Sequence, residues 1–171
     1  MNYFLVTVDK NYIAPMPIGW YGILDQKSLK GKKAYQMKKD FLFYVENHMQ
    51  MVFTDVVTFP CYLVSSLVKE IITCYDPFVK FSRILFYDRQ RKQSMAYYLP
   101  FFSQVEAVVE RKEEEKTICI EKRQWKSPII LEVTSCFKSF VLMRMDLLES
   151  ILRRGTIGIG VEEVKILLKE E

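Results

Sequence analysis

Few residues of this chain have the types and spacing that catalysis or metal binding requires. His48 is the only histidine among 171 residues, so any dyad or triad that uses an imidazole must include it. The four cysteines, Cys61, Cys74, Cys119 and Cys136, have no C-x-x-C spacing, and together with one histidine they provide no ligand pair for zinc. We therefore predict that the protein uses no metal and no cofactor.

The glycines form no phosphate-binding loop of a known type. Gly155, Gly158 and Gly160 are spaced G-x-x-G-x-G, which reverses the order of the dinucleotide-binding motif and follows a predicted helix instead of opening one. Gly31 precedes two lysines but lacks the earlier glycine and the following serine or threonine of a P-loop. A helix stop and a lysine-rich surface explain these segments more simply.

Carboxylates are the remaining groups from which an acid–base site could be built. Asp55 is the most notable, because it interrupts an apolar segment between Thr54 and Val56. A part-buried carboxylate needs a partner or has a raised pKa, and either property can mark a site. The interpretation that we prefer is a charge at a sheet edge that prevents edge-to-edge pairing. The alternative is an enzyme whose carboxylate-based site is assembled from Asp55 with Asp88, Glu106 or Glu132.

The segment Lys27–Lys39 is the most basic part of the chain, with six lysines and no acidic residue. Aromatic side chains beside lysines are used by proteins that bind single-stranded nucleic acid, but tryptophan or tyrosine anchors surrounded by charge are equally typical of protein interfaces. We favour a protein interface and keep a small nucleic-acid-binding protein that uses Lys27–Lys39 as the alternative. The candidate binding residues are Trp20, Tyr21, Lys30, Lys32, Lys33, Tyr35, Arg89 and Arg91.

The positive charge lies in the first part of the chain. Residues 1–100 carry 13 lysines and arginines against 8 acidic residues, whereas residues 101–171 carry 12 against 13. The overall charge of +4 is too small to indicate nucleic-acid binding by itself. The basic N-terminal part predicts a protein partner with an acidic patch.

The apolar segments are too short for a membrane span or a leader peptide. The longest uncharged stretch, residues 56–68, includes Pro60 and is shorter than a bilayer-spanning helix. The opening run Tyr3–Val8 is interrupted at once by Asp9 and Lys10, so it does not have the pattern of a signal peptide. We expect a cytoplasmic protein with reduced cysteines.

The alternation of apolar residues predicts strands along most of the chain. Two of them form a hairpin around residues 89–92, and two more form a hairpin around the charged run at 111–115, where a helix over the first strand is an alternative. The predicted strands are Tyr3–Val8, Phe41–Val45, Met49–Phe59, Ile84–Asp88, Ser94–Leu99, Val105–Glu110, Lys116–Glu121, Ile129–Thr134 and Phe140–Met143.

Two short amphipathic helices are predicted. The first begins at Ser66 as N-cap and ends at Asp76-Pro77. The second begins at Asp146, which has capping-box spacing to Glu149, and ends before Gly155. The prediction is therefore a single α+β domain over residues 1–171, with residues 1–48 as an N-terminal subregion. Its sheet of about eight or nine strands is predominantly antiparallel, because two helices are too few for parallel crossovers.

The order of elements over roughly residues 50–165 resembles the bacterial immunity-protein family numbered eleven among polymorphic toxin systems, long described as a domain of unknown function. The residues that carry the resemblance are Pro60–Ser66 before the first helix, Phe78–Ser82, Tyr97-Tyr98, Val105–Ala107, and Val141–Leu148 followed by Gly155–Ile159. The resemblance implies a non-catalytic cytoplasmic protein that neutralises a cognate toxin by binding it. It transfers no functional residue to this chain.

Overall fold

A computed structural model describes residues 2–29, 32, 37, 40–112, 115–135 and 138–170 of the protein. Within these residues the chain forms eleven strands, three short helices and one 3-10 turn at Lys122–Gln124. The strands are β1 Tyr3–Val8, β2 Asp40–Tyr44, β3 Val56–Val57, β4 Leu63–Ser65, β5 Lys80–Asp88, β6 Gln93–Phe101, β7 Gln104–Lys112, β8 Glu115–Glu121, β9 Ile130–Ser135, β10 Lys138–Arg144 and β11 Ile159–Lys169. The helices are α1 Gln26–Leu29, α2 Ser66–Tyr75 and α3 Met145–Leu152.

Six strands close into a barrel in the order β1-β10-β9-β7-β8-β11. Side chains alternate across each strand, so β1 directs Tyr3 and Leu5 into the barrel core and Val6 into the neighbouring core outside the barrel. The barrel core also contains Ile118, Ile120, Leu131, Val133, Leu142 and Val164.

The other five strands form a sheet in the order β2-β5-β6-β4-β3. One face of this sheet carries Phe43, Ile84, Phe86 and Tyr97, which pack with Leu24 and other residues of the N-terminal segment. A further core lies between the sheet, the barrel and the two longer helices, and its helical members are Val68, Ile71, Ile72, Leu147, Leu148 and Ile151. The helices also contact each other through the Tyr75 hydroxyl, which hydrogen bonds with the Ser150 Oγ.

The predicted fold class is confirmed: this is an α+β protein in which seven strand pairs are antiparallel and three are parallel. The strands form two sheets instead of one. The parallel pairs β2–β5, β7–β9 and β8–β11 were not anticipated. Each joins strands that are separated along the chain by other strands, so a helical crossover was the wrong criterion for excluding them.

The predicted strand Met49–Phe59 is wrong, because only Val56–Val57 is a strand in this segment. The Arg91 guanidinium donates to the carbonyls of Met49 and Met51, both at 2.6 Å. Met51 itself forms only an isolated bridge with Ile13. Two carbonyls that a continuous strand would use for sheet pairing are therefore bound by a side chain, and residues 49–50 form a turn instead.

The residues that begin the two longer helices differ from the predictions. Ser65 caps α2 instead of Ser66, and its Oγ accepts a hydrogen bond from the Val68 N–H. Asp146 is not the cap of α3; it lies in the first turn and accepts a hydrogen bond from the Arg144 Nε at 2.7 Å. Cys74 is exposed, and Cys136 lies outside the described residues.

Asp25 orders the start of α1 and gives a prediction on pH dependence. Its carboxylate accepts hydrogen bonds from the Ser28 N–H at 2.9 Å, the Ser28 hydroxyl at 2.7 Å and the Gly22 N–H at 2.6 Å. The Ser28 hydroxyl, followed by these backbone donors, lowers the pKa of Asp25. Because the folded pKa is lowered, this contribution to stability is present above the unfolded pKa and is lost as pH falls through the folded value.

An NMR pH titration of the Asp25 carboxyl carbon measures this effect. We expect Asp25 to titrate below the ordinary range of aspartate, and Ser28→Ala to raise its pKa, because the variant removes the side-chain donor. Ser94→Ala, at another exposed serine, is the control and should leave the Asp25 titration unchanged. An unchanged Asp25 pKa in Ser28→Ala would contradict the assignment.

Candidate binding surface

The sheet has a face that the helices cover only in part, which we call the open face: Leu42, Tyr44, Leu85, Tyr87 and Ala96. In the register of β2, β5 and β6, Leu42 lies beside Leu85 and Leu85 beside Ala96, while Tyr44 lies beside Tyr87. Leu42 is 54% exposed, Tyr44 is exposed, and the other three are half-buried. The result is a continuous apolar and aromatic surface across three strands.

Local sheet geometry positions the two tyrosines. Parallel pairing of β2 with β5 places Tyr44 opposite Tyr87, and their ring centroids are 6.1 Å apart with an angle of 71° between the planes. An edge-to-face pair of this kind stabilises beyond simple burial and fixes both rings. The guanidinium carbon of Arg89 lies 3.7 Å from the centroid of the Tyr44 ring. This distance is that of a cation–π contact, and it holds the Arg89 charge at the end of the open face.

Further charges surround the open face. Arg83 and Asp40 form an exposed ion pair of 3.6 Å beside Leu42. Lys69 of α2 lies 4.6 Å from the centroid of the Tyr98 ring, on the strand that carries Ala96. Arg83, Arg89 and Lys69 against Asp40 give this surface an excess of positive charge.

The structure does not bring the predicted binding residues into one surface. Trp20 and Tyr21 contact each other with ring centroids 5.9 Å apart, and Trp20 packs edge-on against Phe59 at 5.0 Å. We call Trp20, Tyr21 and Phe59 the aromatic corner. Trp20 packs on the core at the opposite face of the sheet from Arg89, while Tyr21 is 82% exposed.

Of the predicted binding residues Lys30, Lys32, Lys33 and Tyr35, the structure describes only Lys32. The backbone N–H of Lys32 donates to the Leu29 carbonyl, and the residue is exposed after α1. Lys30, Lys33 and Tyr35 lie outside the described residues.

Arg91 has a structural role near this surface. Besides the carbonyls of Met49 and Met51, it reaches the His48 carbonyl at 3.3 Å and lies 3.7 Å from the Asp88 carboxylate. These contacts order the 48–51 turn and leave the Met49 side chain 92% exposed. Its donors are therefore used within the protein, in contrast to those of Arg89.

The four carboxylates considered for an acid–base site lie on separate elements: Glu106 and Glu132 are on the paired strands β7 and β9, whereas Asp55 and Asp88 belong to the region of the other sheet. Asp55 accepts hydrogen bonds from the Ser65 hydroxyl and from the Ile157 N–H. Asp88 accepts from the backbone of Gln90 and Arg91, Glu132 accepts from the Gln104 amide, and Glu106 is exposed on β7. Across the described ranges, no group of three or more His, Cys, Asp or Glu side chains could hold a metal ion.

An open hollow of about 400 Å³ lies at one end of the barrel, where β8 and β11 finish. It is lined by Glu121, Lys122, Arg123, Lys169 and Glu170. The Lys122 amine lies 2.6 Å from Glu170, and the Arg123 Nε lies 2.8 Å from Glu121. The Lys169 amine lies 3.9 Å from Glu110, so every charged side chain that lines the hollow has a partner of opposite charge within the protein.

Sequence reasoning missed all five residues of the open face, Leu42, Tyr44, Leu85, Tyr87 and Ala96, although a signal was present. Both Phe41–Tyr44 and Ile84–Tyr87 are apolar on both strand faces, a pattern typical of strands buried on both sides. In the folded chain, one of these faces is covered by the N-terminal segment and the other is left open. The pattern therefore identified two apolar strand faces, but not which of them remains accessible in the folded chain.

No known family model matches the chain, and it has no match among curated proteins. Among the helices that the structure describes, none is long and apolar enough to cross a membrane.

Proposed function

We propose that this protein is a non-catalytic protein-binding module of the cytoplasm, and that it is an immunity protein which neutralises a cognate bacterial toxin by direct binding. The observation that carries the proposal is the open face: two neighbouring strands with apolar residues on both sides, one side of which remains accessible. The resemblance of residues 50–165 to a toxin-immunity family supports the identity of the partner as a toxin.

The composition of the open face supports a protein partner. Tyrosine pairs and arginine are enriched at the energetic centres of protein interfaces, where they become fully desolvated. Burying a leucine side chain completely stabilises by about 1.5–3 kcal/mol, so covering the exposed half of Leu42 contributes roughly 1 kcal/mol. Several such contacts on a fixed sheet can exceed the entropy cost of association, because little side-chain freedom is lost from the packed tyrosines.

The proposal expects a toxin to be encoded beside this gene, and binding to the product of the neighbouring gene tests it directly. Co-expression should protect cells from the toxin, and calorimetry of the purified pair should give a dissociation constant. Leu42→Ser should weaken binding about 5-fold, which corresponds to the roughly 1 kcal/mol of lost burial. Leu167→Ser is the matched control, because Leu167 is a leucine of similar exposure on the barrel strand β11.

The outcomes separate the possible surfaces. Absence of both binding and protection would overturn the proposed function. If Tyr21→Ala weakens binding and Leu42→Ser does not, the aromatic corner is the interface and the open face is not. Equal losses in Leu42→Ser and Leu167→Ser would show that neither reports a specific contact.

A further inference from the structure

We infer that Arg89 is a carboxylate-recognition site at the end of the open face, and that the protein partner presents an aspartate or glutamate side chain to it. This inference rests on the proposed function, since it names the chemistry of the partner that covers the open face.

Arg89 differs from the other arginines in the way its donors are used. A guanidinium has five N–H donors around the edge of its plane, and a ring beneath it contacts only the face. Arg89 contacts the Tyr44 ring, and in the described part of the chain no carboxylate lies within ion-pair distance of it. Every other arginine whose side chain the structure describes lies in an ion pair or donates to an oxygen: Arg83, Arg91, Arg123, Arg144, Arg153 and Arg154.

The contact with Tyr44 prepares Arg89 for a carboxylate. The ring restricts the position of the guanidinium, so less side-chain entropy is lost when a second group binds its edge. The edge donors match the two oxygens of a carboxylate and form a bidentate, charge-assisted pair. Arg89 itself lies in the turn between β5 and β6, but the tyrosine beneath it is held within the sheet by Tyr87.

The surroundings favour a protein carboxylate over a nucleic-acid phosphate. Leu42, Leu85 and Ala96 continue from Tyr44 and Tyr87 across the sheet, and a hydrated phosphate backbone would not bury them. A protein surface with apolar side chains beside an acidic residue covers both parts at once. The positive charges of Arg83 and Lys69 near the same face complement such an acidic surface.

An NMR titration of the labelled protein with a random copolymer of glutamate and tyrosine tests this inference without the natural partner. The Arg89 Nε–H and the amides of Tyr44 and Tyr87 should shift, and Arg89→Ala should weaken binding at least about 10-fold, the expected effect of losing one charge-assisted pair. Arg89→Lys keeps the charge but not the bidentate donors, so its affinity should lie between the two. Arg153→Ala, another exposed arginine, is the matched control and should bind as the native protein does.

Unchanged affinity in Arg89→Ala, with an unchanged melting temperature, would overturn the inference. Stronger binding of a single-stranded oligothymidylate at Arg89 would overturn it too, because the site would then recognise phosphate. Calorimetry with the toxin distinguishes this failure from failure of the proposed function. If Leu42→Ser weakens toxin binding and Arg89→Ala does not, the result supports the proposed binding function and rules out the carboxylate site at Arg89. If the native protein does not bind the toxin, the proposed function itself falls.

Discussion

Replacing Asp55 with alanine is expected to lower the free energy of unfolding by about 3 kcal/mol, because it removes two hydrogen bonds to a charged group, each worth about 1.5–3 kcal/mol. One carboxylate oxygen accepts from the Ser65 hydroxyl and the other accepts from the Ile157 N–H at 2.6 Å. The Asp55 N–H also donates to the Ile157 carbonyl, and the Asp55 carbonyl accepts from the Ser65 N–H, both at 2.9 Å. Asp55 thereby ties the start of α2 to the loop between α3 and β11.

Urea denaturation of purified variants measures the expected loss. Asp55→Asn keeps one acceptor oxygen and should lose roughly half as much stability as Asp55→Ala. Asp40→Ala is the control for removing an aspartate: its carboxylate is 72% exposed, and exposed ion pairs contribute roughly 0–1 kcal/mol. A loss in Asp55→Ala no greater than that in Asp40→Ala would contradict the structural role.

Asp55 illustrates which part of a site a sequence can reveal. The expectation that a carboxylate in an apolar segment needs partners agrees with its two hydrogen bonds, whereas the preferred interpretation, a charge that prevents edge-to-edge pairing, does not describe the role that these bonds give it. Those partners are Ser65 and Ile157, and the second lies 102 residues away along the chain. Because the pairing exists only after the barrel and the sheet have assembled, local pattern could indicate neither these partners nor the structural role they define.

Strands were predictable whether their partners are near or distant along the chain. The hairpins β5–β6 and β7–β8 follow from alternating residues on either side of a short turn. The strand Tyr3–Val8 was also predicted, although its partners β10 and β11 are far away in sequence. The segment at Met49–Phe59 has the same alternation, but Arg91 from the β5–β6 turn binds the carbonyls of Met49 and Met51, and the predicted strand does not form there. Local periodicity therefore identified most strands and failed where a distant side chain competes for the backbone.

The candidate surface depended even more on long-range pairing. Arg89 was selected for its charge, but the proposed recognition of a carboxylate depends on the contact of Arg89 with Tyr44. The parallel pairing of β2 with β5 places Tyr44 beside the turn that carries Arg89. Trp20 and Tyr21 contact each other because they are adjacent in sequence. Trp20 lies at the opposite face of the sheet from Arg89, a separation that follows from the sheet topology and that composition and charge do not indicate.

Gly158→Ala is expected to lower the free energy of unfolding by about 4 kcal/mol. Gly158 has φ +71°, and a non-glycine residue in this region costs about 1–2 kcal/mol. A Cβ at this position would also overlap the Thr54 Cγ2 methyl and lie 2.9 Å from the Thr54 Cβ. Thr54 is fully buried and its hydroxyl is hydrogen bonded to the Val56 carbonyl, so it cannot move away freely. Forcing an added methyl into such packing costs a further 1–3 kcal/mol or so.

Two variants separate the backbone cost from the steric cost in urea denaturation. Gly155→Ala is the matched control, because Gly155 has φ +72° and no atom within 4 Å of an added Cβ; it should lose only the backbone part, about 1–2 kcal/mol. Thr54→Ser removes the obstructing methyl and keeps the hydroxyl. The cost of Gly158→Ala should therefore be about 2 kcal/mol smaller in a Thr54→Ser background than in the native one, a coupling expected of residues in direct contact. Equal losses in Gly155→Ala and Gly158→Ala would contradict the steric cost. So would additive losses for Gly158→Ala and Thr54→Ser, because an added Cβ at position 158 would then not be obstructed by the Thr54 methyl.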